Sequence, residues 1–307
     1  MESIASTAVS LAIAATVLSS ALYWAHLAGL RVVLRRLTTD LGSGPVIATV
    51  ERGDDNGWAD SLGRFATYSS WAGVALLAVW AVTRWQAVDH APWSNMYEFT
   101  IAFAAGILAF YVAFEHIYLR PDSSRTTRAL GSVALPVVAA MLISSVAFFP
   151  DDVRPLVPAL QNTDLLAIHV AAMILAYAAL SVSFVAASLY IVQGGKQHRF
   201  ARLPKSRLLD EVAYKSVMVG FPLLAGGIAL GAYWANSAWG RYWGWDPKET
   251  SALVTLLIYG AYLHTHSLRK WAGMRSAAVL VIGFGAVLFT YFVVNLWVSG
   301  LHSYAGV

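Results

Sequence analysis

The chain alternates long apolar runs with short polar connections, and most of the runs are long enough to cross a bilayer. Eight of them approach the roughly 20 residues that a membrane-spanning helix needs. They lie at about 5 to 30, 66 to 83, 97 to 118, 129 to 149, 166 to 192, 216 to 233, 250 to 267 and 276 to 298. A helix satisfies its own backbone in lipid, so the pattern predicts an all-α membrane protein of about eight transmembrane helices. The first run, from Ile4 to Leu30, is longer than the apolar part of a secretory signal, and Glu2 stands where a basic start would be. It is therefore read as a helix that stays. One long polar connection, Thr38 to Gly63, is expected to form a short interfacial or cytoplasmic hairpin of helix. Residues 1–65 are taken as the first helix with its cytoplasmic connection, and 66–307 as a seven-helix core.

Composition agrees with this pattern. The 307 residues are 58% hydrophobic and 12% charged, against about 25% charged in soluble domains, so lipid is the solvent for most of the chain. There is no cysteine, which excludes disulfides, Cys-based metal sites and a Cys-x-x-Cys-His haem attachment motif within this chain. Any thiol chemistry belongs to another molecule. The connections 31–65, 119–128, 193–215 and 268–275 hold 17 of the 21 Lys and Arg residues; Arg84, Arg154, Arg241 and Lys248 fall on the other side. Basic loops stay cytoplasmic, so both termini are expected outside. No internal repeat, low-complexity tract or nucleic-acid-binding feature is found.

One stretch does not fit a bilayer core. Residues 234 to 249 (WANSAWGRYWGWDPKE) hold four tryptophans and a tyrosine among Asn, Ser, Arg, Asp, Lys and Glu. The polar residues forbid a lipid-buried helix, while the rings offer wide rigid apolar faces suited to a flat partner. Its end is also a helix start, with Asp246 as cap, Pro247 at the first position and Glu249 three residues on. The loop charges put this stretch outside the cytoplasm.

The histidines sort by depth. His169 lies just inside the outer end of the fifth span and His302 follows the eighth, so the two bracket the tryptophan stretch. Two imidazoles on either side of an aromatic slot are what a six-coordinate haem iron needs. Arg241 and Lys248 could meet its propionates. The plainer alternative is that interfacial Trp, Tyr and His only anchor helices at the headgroups. His26, His116, His264 and His266 lie toward the cytoplasm, with His26 and His264 the deepest; ionisable groups at that depth usually face the protein interior and mark a pathway or cofactor. For His116 and His266, snorkelling to the interface suffices. His198 sits in a basic loop, and His90 in the outer loop from Arg84 to Asn95 could belong to a partner surface. Asn295, polar within the eighth span, is expected to bond another helix.

The run WANSAWGRYWGWDPKETSALVTLLIYGAYLHTH resembles the WWD signature of the haem-handling proteins of cytochrome c maturation. PWSNMYEF at 92 to 99, HVAAMILAYAAL at 169 to 180 and the terminal LHSYAGV resemble segments of the same family. The eight-helix length and single late WWD stretch are most similar to the CcsA/ResC type of System II, called CcsB in some bacteria. The shorter CcmC and longer CcmF of System I fit less well. The resemblance implies that His169 and His302 are axial ligands of an outer haem b and that His264 serves a second haem position within the membrane. It also implies that a CcsB/ResB-type membrane partner usually supplies the opposing histidine; His26 as that ligand is our own suggestion. Trp234, Trp239, Trp243, Trp245, Arg241 and Asp246 form the expected haem platform. Relatives often carry a Trp shortly before the first external histidine, whereas here Asp164-Leu165-Leu166-Ala167-Ile168 precedes it.

The expected function is to bind haem, carry it outward and present it for thioether attachment to the Cys-x-x-Cys-His of an apocytochrome c. The chain would be the haem-presenting subunit of a cytochrome c synthase in the plasma membrane, with thiol-reducing proteins as indirect partners. No catalytic residue beyond haem positioning is assigned. A haem exporter or chaperone without that chemistry is the nearest alternative, and a membrane b-type cytochrome a further one. A secondary transporter would show broken helices and a repeat; Gly220-Phe221-Pro222 and Gly226-Gly227 permit one break, with no second half to mirror it.

Overall fold

The structure, a computed structural model, describes residues 1–29, 32–36, 48–52, 57–118, 128–152, 160, 163–195, 199–268, 271 and 273–302. Eight helices carry it: α1 (Glu2–Gly29), α2 (Gly57–Val88), α3 (Met96–Tyr118), α4 (Gly131–Phe148), α5 (Thr163–Val192), α6 (Ser206–Trp239), α7 (Pro247–His266) and α8 (Met274–Leu288). A π-helical turn, Phe289–Val293, and a last turn, Val294–Leu296, continue α8 toward the C-terminus.

Among the described residues, seven helices are long and apolar enough to cross a membrane. This is the multi-pass all-α architecture expected. The eighth, α7, is a helix of 20 residues but is too polar to join them, because Lys248 and Glu249 load one end and His264 and His266 the other. Its packing nevertheless gives it the same span as α8. The start of α7 bonds the residues after α8, through Asp246 and His302, and a short connection joins the end of α7 to Met274, where α8 begins.

The helices fall into two groups. In the first, α1 packs on α2 and α4, and α3 on α2 and α4; in the second, α5 packs on α6 and α8, and α7 on α6 and α8. Contact between α3 and α5 joins the groups. The α5–α6 pair is the most extensive, and small residues on α6 explain it. A Cβ on Gly220 would stand 2.8 Å from the Leu180 side chain, and one on Gly227 2.6 Å from Met173. Close approach of this kind is how helices pack in lipid, where no hydrophobic drive presses them together. α6 runs unbroken through Pro222, so the discontinuity that residues 220–227 permitted is not formed.

Two local expectations change. In the Thr38–Gly63 connection the described residues include a strand, not a hairpin of helix: Val32–Arg36 pairs antiparallel with Ala48–Arg52, Val32 opposite Arg52. β-Branched residues, Val32, Val33, Thr49 and Val50, favour that choice. The second helix also starts at Gly57, well before the apolar run at 66, because the amphipathic lead Trp58-Ala59-Asp60-Ser61 continues into it. Residues 37–47 and 53–56 of that connection lie outside the described set.

Candidate functional site: a histidine-lined aromatic cavity

At the tryptophan-rich end, five walls enclose a cavity of about 1390 Å³, part of it open to solvent. The walls are the α2–α3 connection with the start of α3, the start of α5, the end of α6, the Trp243–Ala252 segment, and the end of α8.

His169 and His302 both line it. The His169 Nδ1–H donates to the carbonyl of Gly227 (2.7 Å); a carbonyl only accepts, so the proton is on Nδ1 and the lone pair on Nε2. Gly231, one turn along α6, leaves room for the ring, since a Cβ there would come within 2.6 Å of His169 Cε1. Next on the same face, Trp234 lies parallel to the imidazole, 6.5 Å between centroids and 4° between planes. The indole absent from the sequence just before His169 is thus provided by α6.

His302 reaches Trp234 from another side, 5.9 Å between centroids, and Trp239 packs edge-on against it at 4.9 Å. The two imidazoles are therefore no farther apart than their distances to Trp234 laid end to end. The His302 Nδ1–H donates to Asp246 Oδ2 (2.8 Å), which again leaves Nε2 with the lone pair. Asp246 is buried, 6% exposed, and also accepts from the backbone of Lys248 (3.1 Å) and Leu301 (2.6 Å). The expected capping box is present, with Glu249 accepting from the Asp246 backbone. Burial opposes charge on Asp246, but the His302 bond and the two backbone donors outweigh it and hold the carboxyl below 3.8. Burial pushes His302 below 6.5, and the Asp246 bond offsets only part of that. Burial thus favours the neutral imidazole, the state in which it ligates metal.

The rest of the cavity is apolar with unused donors. Trp234 is 1% exposed, and among the described residues neither its Nε1–H nor the buried Tyr177 hydroxyl has a hydrogen-bond partner. Lys248 lines the cavity and donates to Asn295 Oδ1 (2.7 Å), so Asn295 does bond another helix.

Other candidates are placed differently. Trp243 lines the cavity. Trp239 backs His302. Trp245 is 69% exposed and packs edge-on against Trp243, on a left-handed backbone (φ 56) that aims it away from the wall. Arg241 is exposed beside Gly244 and is not a lining residue; of the two expected cations, Lys248 alone faces the cavity. His264 is exposed on α7. His26 is 0% exposed between α1 and α2, with its Nδ1–H donating to Ala59 O (2.7 Å). The two lie in different helix groups. His116 is exposed, and His266 stacks on Tyr214 (4.7 Å). His198 is outside the described residues. His90, set aside on sequence grounds, lines the cavity.

This fold and cavity define a multi-pass helical membrane protein with an aromatic, histidine-lined cavity at one end. Residues 93–302 match the family model described as cytochrome C assembly protein. The chain is 37% identical over 246 residues to the cytochrome c biogenesis protein CcsA of Guillardia theta, covering 72% of this chain and 79% of the relative. It is 36% identical over 260 residues to that of Mesostigma viride (75% and 82%), and 34% over 271 to that of Synechococcus elongatus (72% and 81%). The chain belongs to the cytochrome c assembly protein family and has a role in cytochrome c maturation.

Proposed function

We propose that the cavity holds haem b between His169 and His302 and presents it for attachment to an apocytochrome c. The observation that carries this reading is the matched tautomer of two imidazoles beside one indole: each ring donates Nδ1–H to a fixed acceptor, which puts its lone pair on Nε2. Among the described residues no cluster of three or more His, Cys, Asp or Glu is placed to hold a bare metal ion. Two nitrogens suit an iron whose other positions are already filled by a porphyrin. The orphaned Trp234 and Tyr177 donors and the Lys248 ammonium suit its two carboxylates.

Haem brings the iron and the vinyl groups; the protein's contribution is binding and orientation. Gly227 and Asp246 set the imidazoles, Trp234 and Trp243 offer flat walls, and the surrounding aliphatic residues exclude water. Holding the vinyl edge where acceptor thiols arrive converts an encounter into a positioned reaction. The basic connections at the far end support a cavity that faces outward, with the chain in the plasma membrane.

A second haem contact is proposed at His264. It stands exposed on α7, in line with exposed Val254 and Leu257. A histidine on a lipid-facing stripe is costly, which favours cover by a CcsB/ResB-type partner. Coexpression of the chain and such a partner with an apocytochrome tests the whole reading. Covalent haem on the acceptor is the expected result; haem held only by this chain would leave delivery without attachment.

A further inference from the structure

We propose that His90 is the base that takes the thiol proton from the incoming acceptor, a role resting on the haem-presenting reading above. Adding a thiol to a vinyl group breaks the S–H bond and the π component of the C=C bond. It forms S–C at one vinyl carbon and C–H at the other. No electrons are gained or lost, so no oxidant or reductant is needed. What is needed is a group that accepts a proton from sulfur, because the thiolate is the nucleophile, and then gives it to carbon.

Among the described cavity residues, His90 is the imidazole that the haem-presenting reading leaves unassigned. His169 and His302 have their Nε2 atoms assigned to iron. The Glu249 carboxylate already accepts from the backbones of Gly244 (2.9 Å) and Asp246 (3.1 Å). Lys248 is a donor bound to Asn295. Tyr177 and Tyr291 are acids far weaker than a thiol and carry no base. His90 donates Nδ1–H to Ala91 O (3.0 Å), which puts its lone pair on Nε2.

Its backbone is held as a base requires. Asp89 ends α2 in the left-handed conformation (φ 58), with its N–H on Trp85 O (2.9 Å), and Trp93 N–H closes the next turn on Ala91 O (2.9 Å). His90 is half-buried and sits on the α2–α3 connection, whereas His169 and Trp234 stand on α5 and α6 and His302 follows α8. An acceptor entering the cavity would find His90 on the same lining as the residues that would hold the haem.

The test uses the full chain, purified with its partner and loaded with mesohaem, whose ethyl groups cannot form the bond. A Cys-x-x-Cys-His peptide is added, and iodoacetamide alkylation of its thiols is timed at neutral pH. In the unaltered protein the bound peptide should alkylate about tenfold or more faster than with His90→Gln, and imidazole should restore the rate to His90→Gly. Peptide affinity and the mesohaem spectrum should not change. With ordinary haem, thioether formation should slow by about 10²–10⁴-fold in His90→Gln. Equal alkylation rates, or a changed spectrum in the variants, would overturn the base role. Failure of the unaltered protein to take up mesohaem or peptide would instead remove the haem-presenting reading, and this role with it.

Discussion

Asp246 holds His302 with the same carboxyl that caps α7: one oxygen accepts from His302 Nδ1 and from Lys248 N, the other from Leu301 N. The helix start, the chain after α8 and the orientation of one imidazole are thus a single unit. Asp246→Ala removes the cap, at about 1 kcal/mol, and the partner that fixes the tautomer. Asp246→Asn keeps a capping oxygen but weakens the grip on His302. Haem affinity should fall about 10–100-fold in Asp246→Asn with the helical content unchanged. Haem titration followed by circular dichroism measures both.

The Gly231 notch makes a steric prediction. A Cβ there would overlap the His169 ring, while the surrounding α5–α6 contacts rest on other residues. Gly231→Val should leave the bundle folded and abolish low-spin haem, because the ring must leave its place beside Gly227 and Trp234. Gly226, where a Cβ meets nothing, is the control: Gly226→Ala should retain haem.

Trp234 touches both imidazoles and is fully buried. Trp234→Ala should lower stability by about 3–5 kcal/mol and lose haem, whereas Trp234→Phe keeps a flat wall and should retain most of it. Trp245→Ala should have little effect on haem content, because that ring lies outside the cavity. Thermal melts and haem-to-protein ratios compare the three.

Acid should release the ligand. His302 has a folded pKa below 6.5, so its neutral form is favoured by the fold, and that contribution is complete above about pH 6.5 and lost as the pH falls. The depressed Asp246 carboxyl has the same sign and fails only below 3.8. Haem retention should therefore be level above about pH 7 and decline on acidification from about 6.5 downward. A stopped-flow pH jump reads it, and Asp246→Asn, which removes a charge that raises the His302 pKa, should shift the onset downward in pH.

The helices, the capping box and both outer histidines could be read from the chain because each rests on local pattern: apolar length, an Asp-Pro-x-Glu spacing, a histidine at a span's end. What escaped rests on distance. The bond from Asp246 to His302 joins residues 56 apart, and the indole beside His169 comes from a different helix. Gly227 was read, with Gly226, only as permitting a break in α6; its use as a carbonyl anchor, and that of Gly231 as a notch, appears only once α5 lies across them. The π-helical turn at Phe289–Val293, which lies where Thr290, Tyr291 and Asn295 line the cavity, has no sequence signature. Arg241 was read by charge alone, but the left-handed Gly240 (φ 71) ends α6 just before it, and the side chain packs beside Gly244, away from the cavity.

The central claim is that His169 and His302 grip one iron from two sides. The optical spectrum of the haem-loaded protein, compared with His169→Gly and His302→Gly with and without imidazole, tests it directly. The expected result is a six-coordinate low-spin spectrum that each variant loses and added imidazole restores. Unaltered bands and haem content in both variants would contradict it.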